Sequence, residues 1–236
     1  MVLRNLCYDK IMPDIFITGV EQNSDKIFVT AGLAATMQSL GYSVGVYKPV
    51  GVQDSIQSQD LTFINYVDPY VKTYFSYMFK SNSTPILAAA AEGVMIEPGT
   101  IIKDYQKVQN LNEILMVDGT SGLASPYNKN FLEEDLIKIL GLPVIYVVEA
   151  KPNSINNILL SVNRVKGDII LNNCPCNASS DVKLMPKLIE EYTDSKVLGV
   201  LPELDRKVNP NDLILETLNG IDIEAVFNLR IAKLRN

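Results

Sequence analysis

The chain contains no histidine, no tryptophan and only three cysteines in 236 residues. Without histidine it lacks the side chain best suited to acid–base work near neutral pH and the commonest protein ligand for zinc. Cys7, Cys174 and Cys176 are too few and too scattered for a disulfide framework. Cys-x-Cys alone is a poor metal signature, so all three read as buried or incidental thiols. Long apolar runs are also missing; nothing approaches the roughly 20 residues needed to span a bilayer. The first residues, MVLRNLCYDKIMP, lack the apolar core and cleavage site of a secretion signal. Positive charge is not in excess either. Lys+Arg 21 against Asp+Glu 27 leaves a net charge of −6, which offers no basic field to nucleic acid or an anionic membrane. These absences imply a cytoplasmic protein with neither nucleic acid nor membrane as a partner.

What is present is a soluble, core-forming composition, 47% hydrophobic with 20% charged residues, and enough length to bury one full core. Short apolar runs occur at Ile15–Thr18, Val44–Tyr47, Ile114–Val117, Val144–Val148, Ile169–Leu171 and Val197–Leu201. Most lack polar alternation, as strands covered on both faces do. Helix-spaced apolar residues lie between them at Lys26–Leu40, Phe131–Leu140, Ile155–Val165 and Asp181–Tyr192. The alternation predicts an α/β fold, a three-layer α/β/α arrangement on a mostly parallel sheet. A single domain is expected over residues 1–236, with 1–13 as an N-terminal extension. Ligands in such sheets collect beyond the carboxyl ends of the strands. That directs attention to Gly19, Lys48–Val50, Asp118–Gly122, Glu149–Asn153 and Asn172–Cys174. Asp54–Gln59 and Asn82–Thr84 are the polar loops expected to move.

The strand-end segments carry a resemblance. FITG, GYSVGVYKPVG, SQD, TPILAAAAEG, VDGTSG, LPVIYVVEAKPNSINN, ILNN and LGVLP occur in this order along nearly the whole chain. Their order and spacing are similar to those of the dethiobiotin synthetase family, whose fold is that of the P-loop NTPases. YKPVG and the LPVI run are the more distinctive pieces, and VDGTSG is close to the family's Val-Glu-Gly-Ala-Gly-Gly. The resemblance implies ATP and magnesium as cofactors, a small-molecule substrate and a homodimer. It also implies a reaction in biotin synthesis: carbon dioxide adds to one amine of 7,8-diaminononanoate, ATP phosphorylates the carbamate, and the second amine closes a cyclic urea. Because the substrate's own amines are the nucleophiles, a chain without histidine could carry out this chemistry.

Position by position, the resemblance places Gly19, Glu21 and Lys26 in the phosphate loop, with Lys26 on the phosphates. Lys48 would meet the carbamate and the γ-phosphate, making Lys26 and Lys48 the catalytic pair. Asp60 and Asp118 would hold magnesium, the second as a strand-end carboxylate. Ser154 and Asn156 open the helix whose N-terminus binds the substrate carboxylate. Asn172 would recognise adenine, and Pro202 would line its pocket.

The phosphate loop departs from the family's Gly-Thr-Asp-Thr-Gly-Val-Gly-Lys-Thr. Gln22, Asn23, Asp25 and Ile27 stand where that run has Thr, Gly, Gly and Thr. Ile27 has no hydroxyl for magnesium. Asp25 adds a like charge beside the phosphate, worth about 4 kcal/mol at ~4 Å and an effective dielectric of ~20. Asn23, Ser24 and Asp25 are all good helix caps, so residues 23–27 are expected to form a capping turn that has lost phosphate chemistry. Further departures are Val52 near a family Ser, Thr120 and Ser121 in the VDGTSG turn, and Pro152, Asn153 and Asn157 at the later helix. Two alternatives therefore accompany the enzyme reading, one of them with no cofactor. The first is a non-catalytic homologue acting as a binding or regulatory module. The second is a related P-loop ligase with another substrate.

Overall fold

The computed structural model describes residues 14–21, 25–53, 59–81 and 83–230. The extension 1–13 with Cys7, the loop residues Gln22, Asn23 and Ser24, and polar-loop residues 54–58 and Asn82 lie outside the described residues. The chain runs β1 (Ile15–Gly19), α1 (Lys26–Ser39), β2 (Val44–Gln53), α2 (Gln59–Val67), β3 (Lys72–Lys80), α3 (Pro85–Ala91) and α4 (Pro98–Val108). It continues with β4 (Ile114–Asp118), β5 (Pro126–Asn128), β6 (Phe131–Leu132), α5 (Glu133–Leu140) and β7 (Val144–Glu149). A 3-10 turn (Pro152–Ser154) then leads into α6 (Ile155–Arg164), β8 (Asp168–Cys174), α7 (Ser180–Tyr192), β9 (Val197–Pro202), α8 (Pro210–Gly220) and α9 (Ile223–Val226).

Seven strands form one sheet in the order β3-β2-β4-β1-β7-β8-β9, and all its strand pairings are parallel. Successive side chains of a strand point to opposite faces, so each inner strand feeds two cores. Ile15 and Ile17 pack with α1, α2, α8 and α9, whereas Phe16 packs with α3, α4, α5, α6 and α7. This is the three-layer α/β/α architecture, with β1 at its centre. The chain leaves β1 toward β2 on one side, returns through β4 and proceeds to β7 on the other. The reversal opens a crevice beyond the carboxyl ends of β1, β2 and β4.

Six strands coincide with the apolar runs of the sequence. The seventh, β3, does not, because KTYFSYMFK alternates polar and aromatic residues rather than forming an apolar run. It is an edge strand with only partial cover, and lysines at both ends suit that exposure. The expected helix at Phe131–Leu140 begins two residues later. Leu132 is extended (φ −103°, ψ 168°), Phe131–Leu132 pair with β5, and the Leu132 N–H donates to Asp135 Oδ2 at 2.8 Å. Helices α2, α3, α4 and α8 were not among the periodic segments read from the sequence. No helix among the described residues is long and apolar enough to cross a membrane.

Candidate functional site

Four charged side chains converge in the crevice. Lys26 stands at the start of α1, Lys48 on β2, Asp60 in the first turn of α2, and Asp118 at the last position of β4. The Lys26 ammonium donates to Asp118 Oδ1. The Lys48 ammonium donates to Asp118 Oδ2 at 2.6 Å and to Asp60 Oδ2 at 3.0 Å. The Thr30 hydroxyl lies 3.3 Å from Asp118 Oδ1. The Asp118 side chain is 1% exposed and that of Lys48 7%, so neither charge would survive burial without its partners. Burial alone would raise the Asp118 carboxyl, but Lys26 and Lys48 outweigh it and hold the group down at about 2. Burial opposes the charge on Lys48 too, and Asp118 and Asp60 together keep its pKa above the ordinary lysine value.

The loop between β1 and α1 is held by contacts that differ from those expected. Asp25 is the N-cap of α1 by position, yet its side chain makes no capping hydrogen bond and its backbone is left-handed (φ 46°, ψ 37°). Instead Asn173 Nδ2 donates to Asp25 Oδ2 at 3.0 Å, and Asn172 Nδ2 donates to the Asp25 carbonyl at 3.2 Å. Asp25 therefore does not play the capping part expected of it, and the other two candidate caps, Asn23 and Ser24, lie outside the described residues. An αL residue turns its side chain away from the helix amides, toward the end of β8. Ile27 is 5% exposed and packs among the core residues of α1 and α2.

At the next strand end, Glu21 Oε1 accepts from Ser154 Oγ at 2.8 Å and Oε2 from Asn157 Nδ2 at 3.3 Å. The first turn of α6 is thus joined to the root of the loop between β1 and α1. Asn156 is exposed, and its amide reaches only toward Asn157 at 3.4 Å. Gly19 ends β1 opposite Val147. Pro202 ends β9 opposite Cys174, whose carbonyl accepts from the Glu203 N–H at 3.0 Å. Cys174 is half-buried and Cys176 exposed; burial pushes the Cys174 thiol up. Val52 is partly buried against the α3–α7 core. The structure thus gathers Lys26, Lys48, Asp60 and Asp118 into one cluster and Glu21 with Ser154 into a second. Asn172 meets the α1 N-cap, and Asn156 stays outside both clusters.

One residue was missed from the sequence. Glu133, the first residue of α5, is 0% exposed. It accepts from the hydroxyls of Thr18 and Thr120, from the Thr120 N–H, and from Tyr127 OH at 3.1 Å. The Thr120 hydroxyl is accordingly directed to Glu133 rather than into the crevice beside Asp118. The signal was weak, because an acidic residue at a helix start ordinarily reads as solvent-exposed.

The donor set suits a hard divalent cation bound to phosphate. Magnesium commonly takes one or two carboxylates and completes its shell with water and phosphate oxygens. Asp60 and Asp118, brought together across Lys48, offer such carboxylates, and Lys26 and Lys48 offer the cations a polyphosphate requires. Among the described residues, no group of three or more His, Cys, Asp or Glu is arranged to hold a metal by itself, so a cation here would depend on its ligand. A cleft of about 590 Å³ also opens at the opposite ends of β7, β8 and β9, lined by Gly167, Asp168, Ser195 and Lys196. Its Lys166–Asp194 pair is solvent-exposed, and the buried charges lie at the other end of the sheet.

Comparison with known proteins bears on the family and the fold. A family model described as an AAA domain matches residues 13–211. An ATP-dependent dethiobiotin synthetase BioD of Bacillus velezensis is 27% identical over 229 residues, covering 92% of this chain and 98% of that protein. The enzyme of the same name from Anoxybacillus flavithermus is 30% identical over 208 residues, covering 82% and 93%. Among solved structures, the septum site-determining protein MinD of Pyrococcus horikoshii, complexed with Mg-ADP, superposes with a TM-score of 0.54. It covers 91% of this chain and 88% of that one at 14% identity, a likeness of fold alone.

Proposed function

Because the chain belongs to the dethiobiotin synthetase family, we propose that it is an ATP- and magnesium-dependent ligase of that type, with a weakened nucleotide site. Its reaction would be closure of a cyclic urea from carbon dioxide and the two neighbouring amines of 7,8-diaminononanoate. The observation that carries this reading is the convergence of Lys26, Lys48, Asp60 and Asp118 beyond β1, β2 and β4. Bound Mg-ATP supplies the phosphoryl group that makes a carbamate oxygen a leaving group.

The chain's own residues supply position and charge. Lys26 and Lys48 neutralise phosphate and carbamate oxygens, and Asp60 and Asp118 hold the cation and fix Lys48 between them. Ammoniums that pair with Asp118 in the free protein would turn outward to an anion at little cost in distance. The substrate amines act as nucleophiles, so no protein base is needed at the reacting nitrogen. The weakening comes from Asp25, which adds a negative charge near the start of α1 although its carboxylate is turned toward Asn173, and from Ile27, which offers no hydroxyl. A folded module without nucleotide is the second reading, and those two residues favour it.

Calorimetric titration with Mg-ATP separates the two. The ligase reading expects saturable binding in the high-micromolar range, and urea-ring formation when diamine and bicarbonate are added. No heat at millimolar Mg-ATP would leave the second reading standing.

The partner we propose is a second copy. Leu184, Leu188 and Tyr192 recur every fourth residue on the outer face of α7, with Leu160 of α6 nearby, and all are exposed. Antiparallel pairing of two α7 helices would set the half bearing Lys183 and Lys187 against the half bearing Glu190 and Glu191.

A further inference from the structure

Glu133 is the most thoroughly buried acid outside the ion cluster, and among the described residues no ammonium pairs with it. Its charge is met by four donors instead. Oε1 takes the Thr18 hydroxyl; Oε2 takes the Thr120 N–H, the Thr120 hydroxyl and Tyr127 OH. An ionised carboxylate is acceptor-only, with about two lone-pair directions on each oxygen, so Oε2 is fully used and Oε1 accepts one donor.

The two threonines lie at decisive points. Thr18 precedes Gly19, where the phosphate loop leaves β1, and Thr120 lies two residues beyond Asp118. Lys26 and Thr30 reach Asp118 from the α1 face of the sheet, whereas Glu133 belongs to α5 on the other face. The same two strand ends are therefore gripped from both sides. The turn between them is tight at Gly119 and in ordinary contact at Gly122. A Cβ on Gly119 would meet Glu133 Oε1 at 2.9 Å and the Phe16 ring at 2.6 Å, and one on Gly122 would sit 3.5 Å from the Gly19 carbonyl. The Gly119 N–H donates to the Ile17 carbonyl at 2.8 Å.

We propose that Glu133 is a positioning residue: it locks turn 119–122 onto the root of the phosphate loop and so fixes where Asp118 presents its carboxylate. The role in ligand binding rests on the ligase reading above, whereas the lock itself does not.

Glu133→Gln keeps the lock. The amide oxygen can still accept from Thr120 and Tyr127, and the amide nitrogen can donate to Thr18, whose hydroxyl lies 3.4 Å from the Gly19 carbonyl. Glu133→Leu removes the acceptor of the Thr120 and Tyr127 donors and leaves the Thr18 hydroxyl only the Gly19 carbonyl at 3.4 Å. Hydrogen–deuterium exchange of the ligand-free protein tests the lock directly. Exchange at 18–21 and 119–122 should rise at least tenfold in Glu133→Leu and stay within threefold of wild type in Glu133→Gln. Unchanged exchange in the Leu variant would overturn the proposal. Should that variant not fold, the Thr18→Val/Thr120→Val double variant carries the same expectation.

Binding provides a readout that general destabilisation would not move. Mg-ATP affinity should fall at least tenfold in Glu133→Leu while metal-free ATP, which meets only the lysines, changes less than threefold. Equal loss of both, or of neither, would refute positioning of the metal ligand. A wild type that binds neither form would fail the ligase reading alone, leaving the exchange result to decide the lock.

Discussion

Lys48 stands between two carboxylates, its ammonium 2.6 Å from Asp118 and 3.0 Å from Asp60. A lysine on a strand and an aspartate on a helix 12 residues later are thereby joined to the end of a third element. The cluster is both a structural tie and a preformed set of ligands. Which role dominates can be measured by taking one member away.

Asp118→Asn removes the carboxylate shared by both lysines, leaving Lys26 against a neutral amide and Lys48 with Asp60 alone. Breaking a buried ion pair from one side typically costs about 3–5 kcal/mol. Urea denaturation should show a loss of that size, and Mg-ATP binding should vanish in protein that remains folded. A stability change below about 1 kcal/mol would mean the cluster relaxes freely into water.

Acid should erode the same contribution. The Asp118 carboxyl sits at about 2 in the fold, against ~3.9 in an unfolded chain. Its folded pKa is the lower one, so the unfolded chain takes up the proton first as pH falls. The stabilisation is complete above about pH 4 and lost as pH drops toward about 2, amounting to about 2–3 kcal/mol. Measured in EDTA, the stability gap between wild type and Asp118→Asn should narrow steadily between pH 5 and pH 2.5. A constant gap would contradict the sign.

Two substitutions test the second copy. Leu184→Asp with Leu188→Asp places like charges on the α7 stripe, where both leucines are exposed and make little of the monomer's core. Sedimentation should find a dimer in wild type and a monomer in the variant, with stability of the monomer changed by less than about 1 kcal/mol. A wild-type monomer at micromolar concentration would remove the proposal.

Which parts of this protein can be read from sequence follows from where each residue gets its partners. Runs such as ILMVD and VIYVVE are buried on both faces, so composition alone marks them as strands. β3 escapes because an edge strand keeps half its surface in water and looks polar. Lys26 came from the family resemblance of its loop, whereas the meeting of Lys48 and Asp118 was legible because strand ends in a parallel sheet converge on one crevice, whatever lies between. The Asp25–Asn173 contact was not, since its partners are 148 residues apart and Asp25 had a local role, capping, that looked sufficient. Glu133 was hidden for the same reason. A local explanation, an acid at a helix start, concealed a long-range one.

The last prediction concerns the loop, because it separates a weakened site from an absent one. Asp25 already has φ 46°, a left-handed backbone that glycine adopts without strain. Asp25→Gly therefore removes a negative charge near the start of α1 while keeping the conformation, and its stability cost is confined to the hydrogen bond from Asn173, about 1 kcal/mol. Ile27→Thr is different in kind. Ile27 is 5% exposed in the core, so the hydroxyl gained for magnesium comes with lost packing of about 1–3 kcal/mol. Asn23→Gly, outside the described residues, restores the middle glycine of the run that the family carries. The triple variant should bind Mg-ATP at least tenfold more tightly than wild type, the Asp25 change giving the larger share because charge acts at longer range than one hydroxyl. Mass action by the nucleotide should offset the lost stability, visible as a larger rise in Tm with added Mg-ATP than wild type shows. Turnover should recover less than binding does, since Val52, Pro152 and Asn157 still alter the substrate side. A folded triple variant without binding at millimolar Mg-ATP would place the defect elsewhere. Asn172, already donating to the Asp25 carbonyl at 3.2 Å, would be the next residue to question.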